Sequence, residues 1–482
     1  MFSGIRGHMQ LPIVAAAPIV KTHAPAFRHL FNDVRQYENF QHYLTGLIVL
    51  ENKSLSNISR CILDSADKSN LSRFMSESPW DTQAVNRFRI QYMLSETLGI
   101  RAATQDSFLI LDDTLCEHVG SLFEYVERHY DHCDGSYPLA HNLVTSYYLS
   151  GAVRFPVEAE VYRRYESVTK WAGFMGQHFP AVTIPNKAKD RAKIHKVWDA
   201  QLLELDPEFK RLHEQFRTKI DIAKMLLSQS LEQKLPFKTV LMDSWYLSPD
   251  LVQWFLKYKI DWVSLIKRNR NLNTSSFQLN DGQGNPIALP PQIKVEDLVP
   301  LIPVTSFQEV KMASQTYWCF TLCVRLEGLG KVRLVINFSN PELTGTYAVL
   351  ISNRTDHHPK QIIIQYLQRW PIETFYRDSK QLLGLDEYRT RSFSAIKAHW
   401  CLVFVAYSIL HLDCLPKSSE QRKGKLPTAP NQSIGTACRQ QAQALIEQLI
   451  LFAHNCLQRG ETAAQVFCRL FAKQNQQNIM TS

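Results

Sequence analysis

The 482-residue chain is too long for one ordinary core and has room for two or three domains. Its 45% hydrophobic and 21% charged residues exclude extended disorder, and a formal charge of +9 favours a polyanionic partner. Ten cysteines with no CxxC pair, no metal-ligand spacing and no secretory leader read as reduced, mostly buried thiols of a cytosolic protein, which argues against a disulfide scaffold and a zinc site.

After an N-terminal tail over 1–26, residues 27–98 read as short helices anchored by aromatics such as Phe40, Tyr43, Phe74 and Trp80. Helical runs near 55–63 and 70–75 have helix-turn-helix spacing, with Lys68, Asn70, Ser72 and Arg73 available to phosphates or base edges; a plain helical hairpin fits the same pattern. The period then changes. SFLILDD (107–113) is a continuous apolar run ending in two acids, as expected of a buried central strand that meets a site. Residues 142–150 and 152–163, joined at Gly151, predict a hairpin. The basic segment holding Lys187, Lys189, Arg191, Lys193 and Lys196 fits a solvated loop or a DNA-facing one, and 207–233 carries a helical apolar stripe.

FKTVLMDSWY predicts a second buried strand ending in an acid, Asp243, with Trp245 and Tyr246 packed behind it. A helix from Ser248 and a strand from Asp261 complete a parallel strand–helix–strand unit. Lys267 and Arg268 follow that strand, in a solvated turn or along a DNA channel. Residues 314–353 are strand-rich, and the apolar run from Ala398 stops short of the ~20 residues that span a bilayer, so it predicts a core helix and no membrane. A polar linker over 413–436 and C-terminal helices over 437–482 end the chain.

The densest chemistry lies in YLQRWPIETFYRDSK, residues 366–380. On a helix predicted from Pro359 to near Gly384, with a kink or restart at Pro371, Tyr366, Arg369, Glu373 and Lys380 fall within an arc of about 60°. Such a face is a surface salt-bridge ladder or a metal-binding carboxylate flanked by cations that hold a phosphodiester. The strand-end acids favour the second. Asp113, Asp243 and Glu373 offer the oxygen ligands that hard cations need for phosphoryl transfer.

The order of hairpin, parallel unit, insertion and final helix resembles the ribonuclease H-like fold. The Tyr-x2-Arg-x3-Glu-x6-Lys spacing, with acids in the settings ILDDT and LMDSWY, resembles the DDE transposases of bacterial insertion sequences, in the insertion-sequence-four-like superfamily. The resemblance covers about residues 100–410. It implies an α/β, ribonuclease H-like catalytic domain over 99–412 with a β-rich insertion at about 271–355, and a helical DNA-binding domain ahead of it. It implies Asp113, Asp243 and Glu373 as catalytic and metal-binding residues for two Mg²⁺ ions, replaceable by Mn²⁺. Tyr366, Arg369 and Lys380 would contact DNA, with Lys267 and Arg268 lining its channel. Asp113 is preferred because the family has its acid directly before Thr, here Thr114; its neighbour Asp112 is the rival for that position, and side-chain alternation along the strand leaves the choice open.

The implied activity is cleavage of double-stranded DNA at the element's inverted-repeat ends and transfer of 3′-hydroxyl ends to target DNA, by a homodimer in the cytoplasm at the nucleoid. Tyr317 and Trp318 of the insertion are candidates for a flipped base or for core. An inactive, domesticated transposase acting only as a DNA-binding protein is the alternative, and a glycoside hydrolase is disfavoured because Arg and Lys around Glu373 suit phosphate.

Overall fold

The computed structural model describes residues 11–480 apart from 66, 132, 314 and 417–425. Part of the expected tail and the middle of the expected linker thus lie outside the described residues.

Five helices come first: α1 (Pro18–His23), α2 (Val34–Val49), α3 (Leu55–Cys61), α4 (Lys68–Ser76) and α5 (Thr82–Glu96). The side chains of Asp33, Ser54, Asp67 and Asp81 cap α2 to α5 by accepting from first-turn backbone N–H groups, which fixes where each begins. Strands β1 (Ser107–Glu117), β2 (Glu127–Arg128), β3 (Leu139–Ser150) and β4 (Val153–Tyr162) follow. Gly151 turns the β3–β4 hairpin at φ +61°, and a Cβ there would meet the Pro427 carbonyl oxygen at 2.8 Å, so only glycine fits.

Four helices then form a module of their own: α6 (Tyr165–Val168), α7 (Trp171–His178), α8 (Ala188–Leu205) and α9 (Pro207–Gln215). Trp171, Met175, Leu202 and Phe209 are its private core. Next come α10 (Lys219–Glu232), β5 (Thr239–Met242), α11 (Pro249–Tyr258), β6 (Asp261–Leu265), β7 (Asn271–Asn273), β8 (Gln292–Lys294), α12 (Val295–Leu298), β9 (Gln308–Lys311), β10 (Thr316–Leu326), β11 (Gly330–Phe338) and β12 (Tyr347–Ser352). The chain closes with α13 (Pro359–Leu367), α14 (Pro371–Leu383), α15 (Phe393–Cys414), α16 (Ile434–Gln458) and α17 (Ala463–Met480).

The fold is mixed α/β around one large sheet in the order β2-β3-β1-β5-β6-β12-β11-β10-β9, with β4 on β3. β1, β5 and β6 run parallel at its centre, flanked by the antiparallel hairpin on one side and by β12 to β9 on the other. The strands expected as an insertion therefore prolong the central sheet, because β12 pairs with β6; the β7–β8 ribbon is a second small sheet.

Alternation along β1 and β5 sorts the core into two faces. Phe108, Ile110 and Leu241 meet Ile372 and Phe375 of α14 and the buried helix α15. Leu109, Leu111, Val240 and Met242 meet α10 and α11 through Leu226, Leu251 and Phe255. Helix α15 is long and apolar enough to cross a membrane, yet 83% of that window is buried inside this protein, as its core reading expects. The N-terminal helices α2, α4 and α5 pack against α15 and share the first core, so the core continues across the boundary drawn at residue 98.

Arg89 ties these layers together. Wholly buried on α5, it donates to Ser408 Oγ of α15 at 2.8 Å and to the Val157 carbonyl of β4 at 2.9 Å, as well as to Asn86. Its removal strips buried Asn86 Oδ1 and Ser408 Oγ of that donor and leaves the Val157 carbonyl only its bond from Asn86 Nδ2, so Arg89→Ala is expected to lower the unfolding free energy by about 3 kcal/mol in urea denaturation. A loss below about 1 kcal/mol would mean that the tie is not structural.

Candidate active site

Pro371 breaks the signature helix. Helix α13 ends at Leu367 and α14 restarts at Pro371, leaving Gln368, Arg369 and Trp370 in a turn. Tyr366 thus sits in the last turn of α13, Glu373 in the first turn of α14 and Lys380 near its end, and Gly384 closes α14 at φ +70°.

The turn aims Arg369 at two carboxylates. Its Nη1 donates to Asp112 Oδ2 at 2.6 Å and its Nη2 to Glu373, while its guanidinium lies 6.0 Å from the centre of the Tyr366 ring. Asp112 and Arg369 side chains are 18% and 16% exposed against 34% for Glu373, so Glu373 forms the open rim. Lys380 reaches back to β1, where its Nζ donates to the Leu115 carbonyl at 2.7 Å.

The two neighbouring acids of β1 diverge. Asp112 follows Phe108 and Ile110 on the face covered by α14, and one further step of the β1–β5 register sets it beside Asp243. Asp113 follows Leu109 and Leu111 on the other face. There it accepts from Lys219 Nζ at 2.8 Å and from the buried Tyr246 hydroxyl at 3.0 Å. Asn142 on β3, in the amide orientation that satisfies both neighbours, donates to Asp113 Oδ2 and accepts from Lys219, each at 3.1 Å. The structure therefore brings Asp112, Arg369 and Glu373 together, whereas Asp113 joins Lys219 and Tyr246.

Asp243, just past β5, uses Oδ1 to accept from the backbone N–H groups of Trp245 at 2.9 Å and Tyr246 at 3.3 Å. Tyr246 is buried behind the acid as expected, but Trp245 is 43% exposed, its ring 5.0 Å from Lys219 Nζ. Burial holds Asp243's carboxyl above the usual carboxylate range, helped by the charge of Asp113 and opposed by those two N–H groups and by Arg369. Burial pushes Asp112 up to about 7, with Asp113 and Asp243 adding to the rise and Arg369 opposing it.

The remaining expected residues lie apart. Arg268 is committed to β12, donating to the Tyr347 carbonyl at 2.6 Å and stacking on the Tyr347 ring at 4.2 Å. Lys267 opens onto a cavity of about 930 Å³ that begins at Ser244 and Trp245 beside Asp243 and also holds Arg270 and Arg325. Tyr317 and Trp318 are half-buried on β10, and Tyr317 packs on the core.

Sequence reasoning missed Lys219 and Asn142. The sign of the former was present: Thr218 and Asp221 form a capping box that starts a new helix at Lys219, inside the stretch read as one stripe over 207–233.

All acids at the site are oxygen donors suited to a hard divalent cation, and the burial that raises Asp112 and Asp243, with neighbouring carboxylates adding to it, is a penalty on their charged forms that a cation would relieve. No group of three or more His, Cys, Asp or Glu side chains among the described residues is gathered closely enough to hold a metal ion, and Arg369 lies between Asp112 and Glu373. The donor chemistry fits; the cage is closed by an arginine.

Residues 186–409 match the family model of the transposase DDE domain. The likeness to transposase DDE domains holds over that stretch, which is under half of the chain. It is also similar to a probable transposase for insertion sequence element IS701 of Microchaete diplosiphon, at 31% identity over 153 residues, which is 31% of this chain. The match covers 38% of that relative's own length. The matched span takes in Lys219, Asp243, Arg369, Glu373 and Lys380, while β1 with Asp112 and Asp113 precedes it.

The raised carboxyl of Asp243 has a consequence for stability. Its proton is retained longer in the folded chain than in the unfolded one, so its cost is absent near the unfolded pKa of ~3.9 and grows as pH rises toward the folded value. Asp243→Asn is expected to make the metal-free chain more stable than native at pH 8, with the gain vanishing near pH 4 in parallel melts. An equal effect at both pH values would contradict the shift.

Proposed function

We propose that the chain is a DNA transposase that cuts the terminal inverted repeats of its own insertion sequence by metal-dependent hydrolysis and joins the freed 3′-hydroxyl ends to target DNA. The observation that carries this reading is the Arg369 bridge between an acid on a central strand and Glu373 on the signature helix, inside a chain that matches the transposase DDE domain over residues 186–409. The central hairpin and parallel strands support a ribonuclease H-like core.

In this reading Asp112, Asp243 and Glu373 hold the divalent ions, and Asp112 takes the place for which the residue before Thr114 spoke. Asp113 keeps the 243–246 turn in place through Tyr246. Two Mg²⁺ ions, or Mn²⁺, supply Lewis-acid activation of the attacking oxygen and stabilisation of the leaving one. Arg369, exchanged from carboxylates to phosphate, holds the strand beside the scissile bond, with Tyr366 and Lys380 along the same face. Lys267 lies at the cavity mouth where DNA would continue.

Helices α3 and α4 serve end recognition, since Lys68, Asn70 and Arg73 are exposed on α4. Synapsis needs two copies, and an apolar stripe on α16, with Ile446, Ile450 and Leu457 each at least 45% exposed, supports a homodimer contact.

The test is cleavage of a plasmid carrying the DNA that flanks this gene. Native chain with Mg²⁺ is expected to cut at the element boundaries; EDTA, Asp112→Asn, Asp243→Asn or Glu373→Gln should each lower the rate at least a thousandfold while duplex binding persists. Asp113→Asn is expected to cost less than Asp112→Asn. Equal cutting by native chain and all three acid variants would refute the assignment.

A further inference from the structure

The module of α6 to α9 supplies none of the residues of the acid cluster. It interrupts the chain between β4 and α10, and a few residues past its last helix Lys219 reaches Asp113. Its sequence alone left the basic segment open between solvent and DNA; the structure makes most of it one helix, α8, with a predominantly basic outer face.

Lys189, Lys193 and Lys196 stand at i, i+4 and i+7 on α8, within an arc of about 60°, and all are exposed. Lys187 precedes them at the helix start, also exposed, and small Ala192 and Ala200 leave the face between them low. The three lysines span about 10 Å along the helix, the length of duplex axis that holds about three successive phosphates of one strand.

Charge is segregated across the helix. Two acids of the module are turned inward and used: Asp199 of α8 accepts from the Tyr165 hydroxyl at 2.7 Å and Trp171 Nε1 at 2.8 Å, and Glu166 of α6 from Arg191 Nε at 2.7 Å. Asp190, bonded to Lys193 at 3.0 Å, is the acid nearest the basic face. Glu204, the other acid of α8, is exposed two turns beyond Lys196, so the first half of the helix presents three lysines outward against one bonded acid, Asp190.

We propose that this module is a second DNA-binding platform, with α8 laid along the phosphodiester backbone of duplex DNA that continues past the active site. The contact is with phosphates and carries no base reading of its own. It rests on the reading of DNA as the partner.

The experiment is a salt titration of duplex binding by the full chain and by a triple variant, Lys189→Ala, Lys193→Ala and Lys196→Ala. At physiological salt the variant is expected to bind at least tenfold more weakly, with the slope of log affinity against log salt smaller by about 3 and an unchanged melting temperature. Independently of these changes, a photo-crosslinking side chain introduced as Ala192→p-benzoylphenylalanine, with all lysines intact, is expected to capture duplex DNA. Native-like affinity and slope in the triple variant, or no crosslink to bound duplex, would overturn the platform. Failure of the native chain to bind duplex at all would overturn the functional reading and the platform with it.

Discussion

Acids cannot be gathered at the buried end of a parallel sheet without cations to meet them. Asp112, Asp113 and Asp243 lie within electrostatic reach of one another, and Arg369 and Lys219 enter from opposite faces of the sheet to hold the first two. The charges are too dry to be left alone, and removing one partner of such a pair costs more than the pair itself yields. Local architecture follows from this need. Helix α14 restarts at Pro371 so that Arg369 falls in the turn before it, and α10 begins at its capping box so that Lys219 leads it.

Each cation also sets what the site is free to do. Arg369 joins a strand acid to the signature helix acid, so the carboxylates that suit a metal are held near each other but occupied. Phosphate is the one ligand that both draws an arginine away and accompanies metal ions in phosphoryl transfer. Lys219 and Tyr246 act on the opposite face, where together with Asn142 they fix Asp113, and through Tyr246 the turn bearing Asp243. One face of β1 thereby carries the Asp112–Arg369–Glu373 bridge and the other the Asp113–Lys219–Tyr246 cluster.

Much of this was legible in the sequence. Continuous apolar runs ending in acids identified β1 and β5, Gly151 marked the hairpin, Pro371 predicted the restart, and the run from Ala398 was a core helix. The family resemblance, with an acid directly before Thr114, favoured Asp113 of the adjacent acids; alternation along β1 puts Asp112 on the face that α14 covers, where Arg369 joins it to Glu373. Periodicity also overlooked the break at Thr218, because two amphipathic helices in succession look like one stripe. Nor does local pattern reveal that β12 pairs with β6, or that α2, α4 and α5 share a core with α15, since both depend on contacts between residues far apart in the chain.

The central claim is that Asp112, Asp243 and Glu373 form the metal-binding face once Arg369 turns to phosphate. Crystals of the chain with a cleaved end duplex and Mn²⁺, measured at the manganese edge, test it most directly. The account predicts anomalous density between those three carboxylates, with Arg369 on the DNA backbone and Asp113 still bonded to Lys219. Density at Asp113 instead, or none among the acids with Arg369 still bridging Asp112 and Glu373, would contradict it.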